Sequence, residues 1–469
     1  MIKKITSLKQ WFVSFSAIII IIIGTIVLVA FAQGYNYDAF HNQIYKTGLV
    51  LIDSNPGGAE VFLNEKKINK KTPYRYSGAP PGYLNVSLKK VDFRDWNNLS
   101  TVIPGEVTFV NYALLLPNIL DQQSIDENIV FSSILQSENH DKTIGYSKNT
   151  LSLYSISNNN TVKEIYRISQ PVDANKQVID IENIQISNDG QKLLFNQKHT
   201  DGTTQTIVLD TSNSKVNNLS EEYGFEFKDL RFNPKNSSEL FWLELGVLKK
   251  IQINEKNISS NLIDSIYQLD IANDRLLVVK KTGNTIQMAT LYSYDLSGNN
   301  QAELTRLKYD EKGYNILFIR SRYAEYISII YNSTSQAELI KNPYQKPSEN
   351  EPSPVKEIGL GVSNQTINFN HRFLIYNQNN TLRSIDLEFD QDDNFGASLN
   401  GLQKWSWYDD YHIVIQQDNV VRLLDYDGQN NYLLTPISDI KTFAIQPNQK
   451  AILPLNNNGN LFSLFLIKK

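Results

Sequence analysis

A chain of 469 residues is too long for one ordinary domain and points to two or three. It contains no cysteine, which excludes disulfides, thiolate metal sites, thiol nucleophiles and lipidated cysteines. Its net charge of −4 falls on the later part, where residues 118–469 hold 33 Lys/Arg against 42 Asp/Glu; so acidic a bulk argues against nucleic acid as a partner, because phosphate binding needs a basic face.

Residues 12–32 carry no charge and include six consecutive isoleucines at 18–23. As a helix this stretch reaches about 31 Å, close to the hydrocarbon thickness of a bilayer. Lys3, Lys4 and Lys9 precede it, and the next basic residue is Lys46. The positive-inside rule then places a tail, residues 1–11, in the cytoplasm and everything after the helix outside, in a single-pass membrane protein. Ala30-Phe31-Ala32 also has the form of a signal-peptidase site. Cleavage there would free the protein from the membrane. The apolar run exceeds the usual signal core, which favours an uncleaved anchor.

Residues 33–47 read as a linker. From Gly48 the pattern alternates: "GLVLIDS", the turn Pro56-Gly57-Gly58, then "AEVFLN" with Val61 and Leu63 on one face against Phe62 and Asn64 on the other. Thr72-Pro73 opens another extended piece and Pro80-Pro81-Gly82 turns into "YLNVSLKK". Short strands with obligatory turns predict a small antiparallel β-sandwich over residues 48–117. The order Ser54-Asn55-Pro56-Gly57-Gly58-Ala59-Glu60-Val61, Thr72-Pro73, Pro81-Gly82-Tyr83 resembles the PEGA domain. Gly57 stands in place of the signature Glu and Lys71 in place of the usual Gly. The resemblance implies a non-catalytic envelope module with no catalytic residues to carry over.

Residues 118–130 read as a second linker, and 131–469 as repeats of about 44 residues. The clearest begins "IENIQISNDGQKLLFNQKHTDGTTQTIVLD", where Asp189-Gly190 and Asp201-Gly202 sit between alternating segments as hairpin turns do. Related openings recur from "FSSILQSENHDKTIGYS" to "IKTFAIQPNQKAILPL". Four short strands per unit predict a seven- or eight-bladed β-propeller, with eight favoured. "ISNDGQKLLF" resembles the opening of TolB-like and WD40-like propellers. The last unit lacks its outer strand, and "NIVFSSI", residues 128–134, is the segment expected to supply it if the ring has seven blades. A Pro-rich stretch around residues 342–359 reads as a solvated excursion between strands.

Few residues carry chemistry. The five histidines show no metal-ligand spacing, and "GASLN" fails the nucleophile-elbow pattern at its last position. Asp390, Asp392 and Asn394 stand at positions one, three and five of a calcium-type loop, but Phe395 replaces its glycine and Gly401 its closing Glu, so an acidic hairpin is the safer reading. Asp409 and Asp410, read as neighbours on a strand, point to opposite faces and cannot converge on one bond. Trp405, Trp407, Tyr408 and Tyr411 form an aromatic cluster, read either as packing between blades or as a binding rim for sugar or peptide. No metal or other cofactor is expected. The chain thus reads as a mainly β, membrane-anchored, non-catalytic binding or scaffold protein of the bacterial envelope, with an envelope protein or polysaccharide as partner. The alternative is an exported hydrolase or lyase acting on glycans or peptides in the propeller channel.

Overall fold

Nothing polar enough to break a helix lies between residues 12 and 32, and one helix, Ile2–Ala32, runs through them. The computed structural model describes residues 2–38, 43–138, 140–157, 159–171, 173, 176–272, 274–282, 288–344, 355–394, 401–435, 439–446 and 450–467. Within the helix, the 22 residues Trp11–Ala32 are apolar and none of that window is buried against protein. At 1.5 Å per residue they reach about 33 Å. The hydroxyls of Ser16 and Thr25 donate back to the carbonyls of Phe12 and Ile21, each at 2.8 Å. Their hydrogen bonds are therefore met inside the helix, as a hydrocarbon surrounding demands. The stretch expected to be a linker holds a hairpin, Tyr35–Asp38 paired with Gln43–Lys46. Both the amide and the hydroxyl of Thr47 donate to Gly34 O at 2.8 Å and close its base.

The chain divides into two compact units, Met1–Leu120 with Ile467–Lys469, and Asp121–Leu466. In the first, two sheets form the sandwich. Tyr74–Ala79, Gly48–Asn55 and Val107–Leu114 make one, and Lys66–Lys71, Glu60–Leu63, Gly82–Lys89 and Trp96–Val102 make the other. Val61 and Leu63 face the core while Phe62 is half-buried on the other side, as the alternation predicts. Trp96 is fully buried, edge-on to Tyr112 at 5.6 Å, and so is a core residue. The sandwich departs from the expected all-antiparallel arrangement in one pairing. Gly48–Asn55 runs parallel to Val107–Leu114, because the chain crosses to the second sheet before returning as the closing strand. Ser54 and Thr72, from two of the turn motifs, share a buried hydrogen bond of 2.7 Å, and Thr72 Oγ1 also accepts the Ala59 amide at 2.9 Å. The two Pro-containing turns are pinned to each other by these bonds.

The second unit is built from eight four-stranded antiparallel sheets among the described residues. In chain order these blades span residues 133–167, 178–218, 230–258, 268–308, 314–359, 362–394, 402–433 and 440–465. Each recurring hairpin read from the sequence is the first and second strand of one blade. Asp189-Gly190 and Asp201-Gly202 make the two turns of blade 2, with Gly190 and Gly202 at positive φ. The first strands lie innermost, since each meets the first strand of a neighbouring blade.

Closure follows the expected principle with a different strand. Asp121–Ser124 pairs with Phe462–Phe465 and becomes the outer strand of blade 8. It lies inside the stretch read as linker. Residues 128–134 do not serve, because Phe131 and Ile134 are buried between blades 1 and 8 with Leu453, Leu455 and Leu461. The outer strand faces water on nearly every residue, so the polar sequence Asp-Gln-Gln-Ser suffices there. Gly459 lets the chain pass at this seam; a Cβ there would stand 2.5 Å from Val130 Cγ1 and 2.9 Å from Phe131 O.

Candidate binding site at the mouth of the propeller channel

The first strands line the axis of the ring, and a polar side chain reaches across each seam between them to a neighbouring blade. Gln185 donates to Leu230 O at 3.0 Å, Arg231 to Leu269 O at 3.0 Å and Gln268 to Tyr314 O at 2.6 Å. Gln365 donates to Asn315 O at 3.1 Å and Lys404 to Phe443 O at 2.7 Å. Gln136 accepts the Ile445 amide at 2.9 Å across the seam between the first and last blades. Tyr146 with Asp180, and Asn368 with Asp410 O, complete the circuit at 2.7 and 2.9 Å. These bonds satisfy backbone groups at the edges of the inner strands and lock adjacent blades in register.

All first strands run the same way around the axis, so the turns that follow them gather at one mouth of the channel. Here Glu138, Gln185, Arg231 and Asp270 from four successive blades line a cavity of about 220 Å³. Burial raises the Asp270 carboxyl above its usual range, although Gln268 donates to it at 2.7 Å and Arg231 lies 3.8 Å away. At the same mouth the His140 ring stands edge-on to Phe369 at 5.3 Å. His140 belongs to blade 1 and Phe369 to blade 6, with blades 7 and 8 between them in the ring, so this contact reaches across the opening. A second cleft, about 460 Å³, lies between blades 2 and 3 and is lined by Asn183, Leu194, Asn196, Thr206 and Phe227 among others.

The residues singled out from the sequence are placed differently from a binding rim. Trp407 and Tyr408 are 3% and 5% exposed, so neither offers a ring face to a solute. Trp405 and Tyr411 are half-buried against the same core, formed by Phe373, Ile413, Ile415 and Leu424 where blades 6 and 7 meet. The cluster is packing. Asp390 and Asp392 both accept from the Lys356 ammonium at 2.8 Å, which puts a cation of the chain itself between them. The strand Gln391–Asn394 carries Asn394, whose side chain lies outside the described residues, as do Phe395 and His41. Among the described residues no group of three or more potential ligands is gathered for a metal.

Asp409 and Asp410 lie in the turn between the strands Leu402–Trp407 and His412–Gln417, not on a strand. Asp409 holds His412 Nδ1 at 2.8 Å, whereas Asp410 accepts the Asn370 amide at 2.9 Å, so the two carboxylates still diverge. His412 Nε2 lies 3.5 Å from Asp425. The same cross-strand place pairs Lys192 with Asp210 at 3.1 Å, and Arg372, one residue before that place in its blade, holds Asp386 at 2.6 Å. The hydroxyl and amide of Ser212, with the Lys192 ammonium beyond them, bring Asp210 down to about 2. An acid ending the third strand of four blades (Asp210, Asp295, Asp386, Asp425) is thus a repeat signal that a search for turns overlooks.

Compared with known proteins, residues 47–116 match the PEGA domain family. The sandwich is the part of the chain that is similar to that family. Its Ser54–Thr72 bond joins the two motifs by which the PEGA resemblance is read. A comparison with curated proteins finds no match. Among solved structures, the chain is similar to an oligogalacturonate lyase in complex with manganese (12% identity, 74% of this chain, 98% of that one, TM-score 0.42). It is also similar to a streptogramin B lyase (13%, 74% and 98%, 0.37) and to dipeptidyl peptidase 4 of Porphyromonas gingivalis (10%, 71% and 56%, 0.48). The blade architecture stands on the strand pairing itself, and likeness at this level adds nothing about chemistry.

Proposed function

We propose that the protein is a non-catalytic, membrane-anchored binding or scaffold protein of the bacterial cell envelope. Its N-terminus is cytoplasmic, its helix is retained as a signal anchor, and its PEGA domain and propeller lie outside the membrane. Envelope proteins or polysaccharides are its partners. The observation that carries the reading is the use of the channel's polar side chains. Each seam bond spends them on a neighbouring blade, which leaves recognition to the turns at the mouth. A propeller braced in this way presents a rigid platform, on which turns bind without rearrangement.

A catalytic reading has one observation in its favour: Asp270, a carboxyl raised by burial, sits beside a cavity. The two readings part on a direct test. Full-length protein in detergent is expected to retain the same envelope protein or polysaccharide in repeated pull-downs, and to turn over neither glycans nor peptides. Turnover that Asp270→Asn abolishes would establish the hydrolase or lyase instead.

A further inference from the structure

The cleft between blades 2 and 3 begins at a bulge in the first strand of blade 2. Glu182 pairs with Asn196 and Gln185 with Leu194, so Asn183 and Ile184 stand together opposite Phe195 alone. Asn183 absorbs the extra residue at a φ of 54°, a left-handed value that asparagine tolerates. On the second strand Leu194 and Asn196 share a face, and Thr206 of the third strand pairs with Asn196 on that face. The opposite wall is Phe227 and Leu230, where the chain enters blade 3, and the space enclosed is about 460 Å³. Sites for small organic ligands run from about 300 to 1,000 Å³.

The polar groups in this cleft are held in place but not used up. Thr206 Oγ1 donates to Asn196 Oδ1 at 3.1 Å, and Ser220 Oγ, on the short helix Leu219–Tyr223, accepts the Thr206 amide at 2.9 Å. Among the described residues the Asn196 side-chain N–H groups then have no partner, nor has the side-chain amide of Asn183. Gln185 gives an N–H to Leu230 O at 3.0 Å and keeps its Oε1 as an acceptor. Only Lys228 and Asp229 bring charge to the lining, one of each sign, and both are exposed at the rim. Below them Leu194, Phe227 and Leu230 are buried and apolar. Neutral donors and acceptors over an apolar wall suit a ligand whose groups both donate and accept and whose ring has a C–H face. A peptide fits less well, because the Leu230 carbonyl it would pair with is already taken by Gln185.

We propose that the cleft between blades 2 and 3 binds an uncharged saccharide. The Asn196 and Asn183 amides donate to its hydroxyls, Gln185 Oε1 accepts from one, and its C–H face lies against Leu194, Phe227 and Leu230. The proposal names polysaccharide as the propeller's ligand and rests on the binding reading above. The two fail separately. A protein that captures an envelope partner yet takes up no saccharide loses this site and keeps that reading. Turnover abolished by Asp270→Asn sinks that reading, while uptake at this cleft is still measured.

The test is calorimetric titration of the full-length protein with maltotriose and, separately, with chitotriose. A polyoxyethylene detergent is used, because a maltoside headgroup is itself a saccharide; the tripeptide Gly-Ser-Gly is titrated alongside. Saturable uptake of one saccharide per chain is expected, and Asn196→Leu, which extends the apolar face of Leu194, is expected to bind about tenfold more weakly. Asn183→Gly keeps the left-handed backbone and removes only the amide, so it serves if Asn196→Leu does not fold; about threefold weaker binding is expected. Amides of residues 183–185 and 228–230 are expected to exchange more slowly with the saccharide bound. Uptake of neither saccharide, uptake unchanged in both variants, or uptake of Gly-Ser-Gly in their place would overturn the proposal.

Discussion

Replacing His412 by alanine is expected to lower the stability of the propeller by about 3 kcal/mol. The imidazole is buried between Asp409, at 2.8 Å, and Asp425, at 3.5 Å, and Asp425 is itself only 2% exposed. Truncation removes the imidazole from a buried carboxylate to which Asn430 still donates at 2.7 Å. The pH dependence follows from the direction of each shift. Burial alone would lower the imidazole, but Asp409 first and then Asp425 and Asp427 carry it above its ordinary value. Its contribution is therefore complete below about pH 6.5 and is lost as pH rises through the raised folded value. Burial pushes Asp409 the other way from its partners, and His412 with two backbone amides leaves it lowered. That side of the pair is lost as pH falls through the depressed carboxyl value. Chemical denaturation of both proteins across pH 3–10 is expected to show the largest difference in the window between these limits. A flat, small difference across that range would mean that the histidine contributes volume and not charge.

The second large effect concerns closure of the ring. Phe462–Phe465 has only two paired residues with the strand before it, Ala451↔Phe465 and Ile452↔Leu464, but four with Asp121–Ser124. The N-terminal strand thus supplies more of the last strand's ladder pairs than the strand before it. A Gln122→Pro, Gln123→Pro double substitution removes amide donors from that strand and is expected to cost about 2 kcal/mol. Amides of Phe462–Phe465 are expected to exchange much faster in the variant than in the wild type, while those of blades 3 to 5 hold. Unchanged exchange at those amides would mean that blade 8 closes without residues 121–124.

The parts of the fold legible in the sequence are those where burial writes a period into the residues. The helix shows as an uninterrupted apolar run, and the sandwich as Val61 and Leu63 set against Phe62 and Asn64. The blades show as apolar hairpins around Asp-Gly turns. The parts that were not legible lack such a period. Asp121–Ser124 is an outer strand exposed on one side, so no apolar residue marks it. The seam glutamines, Gln136, Gln185, Gln268 and Gln365, satisfy backbone groups of a different blade, which only the closed ring brings near. Spacing put Trp405 and Trp407 on one face of a strand, but whether that face meets solvent or the next blade depends on the ring as well.

The most direct measurement of the central claim is the position of the mature chain in a bacterial cell. Full-length protein is expressed, membranes are separated, the N-terminus of the product is sequenced, and intact spheroplasts are treated with protease. The account predicts a product that begins at Met1, stays with the membranes and loses its propeller to protease added outside. A product that begins at Gln33 and appears in the soluble fraction would contradict it.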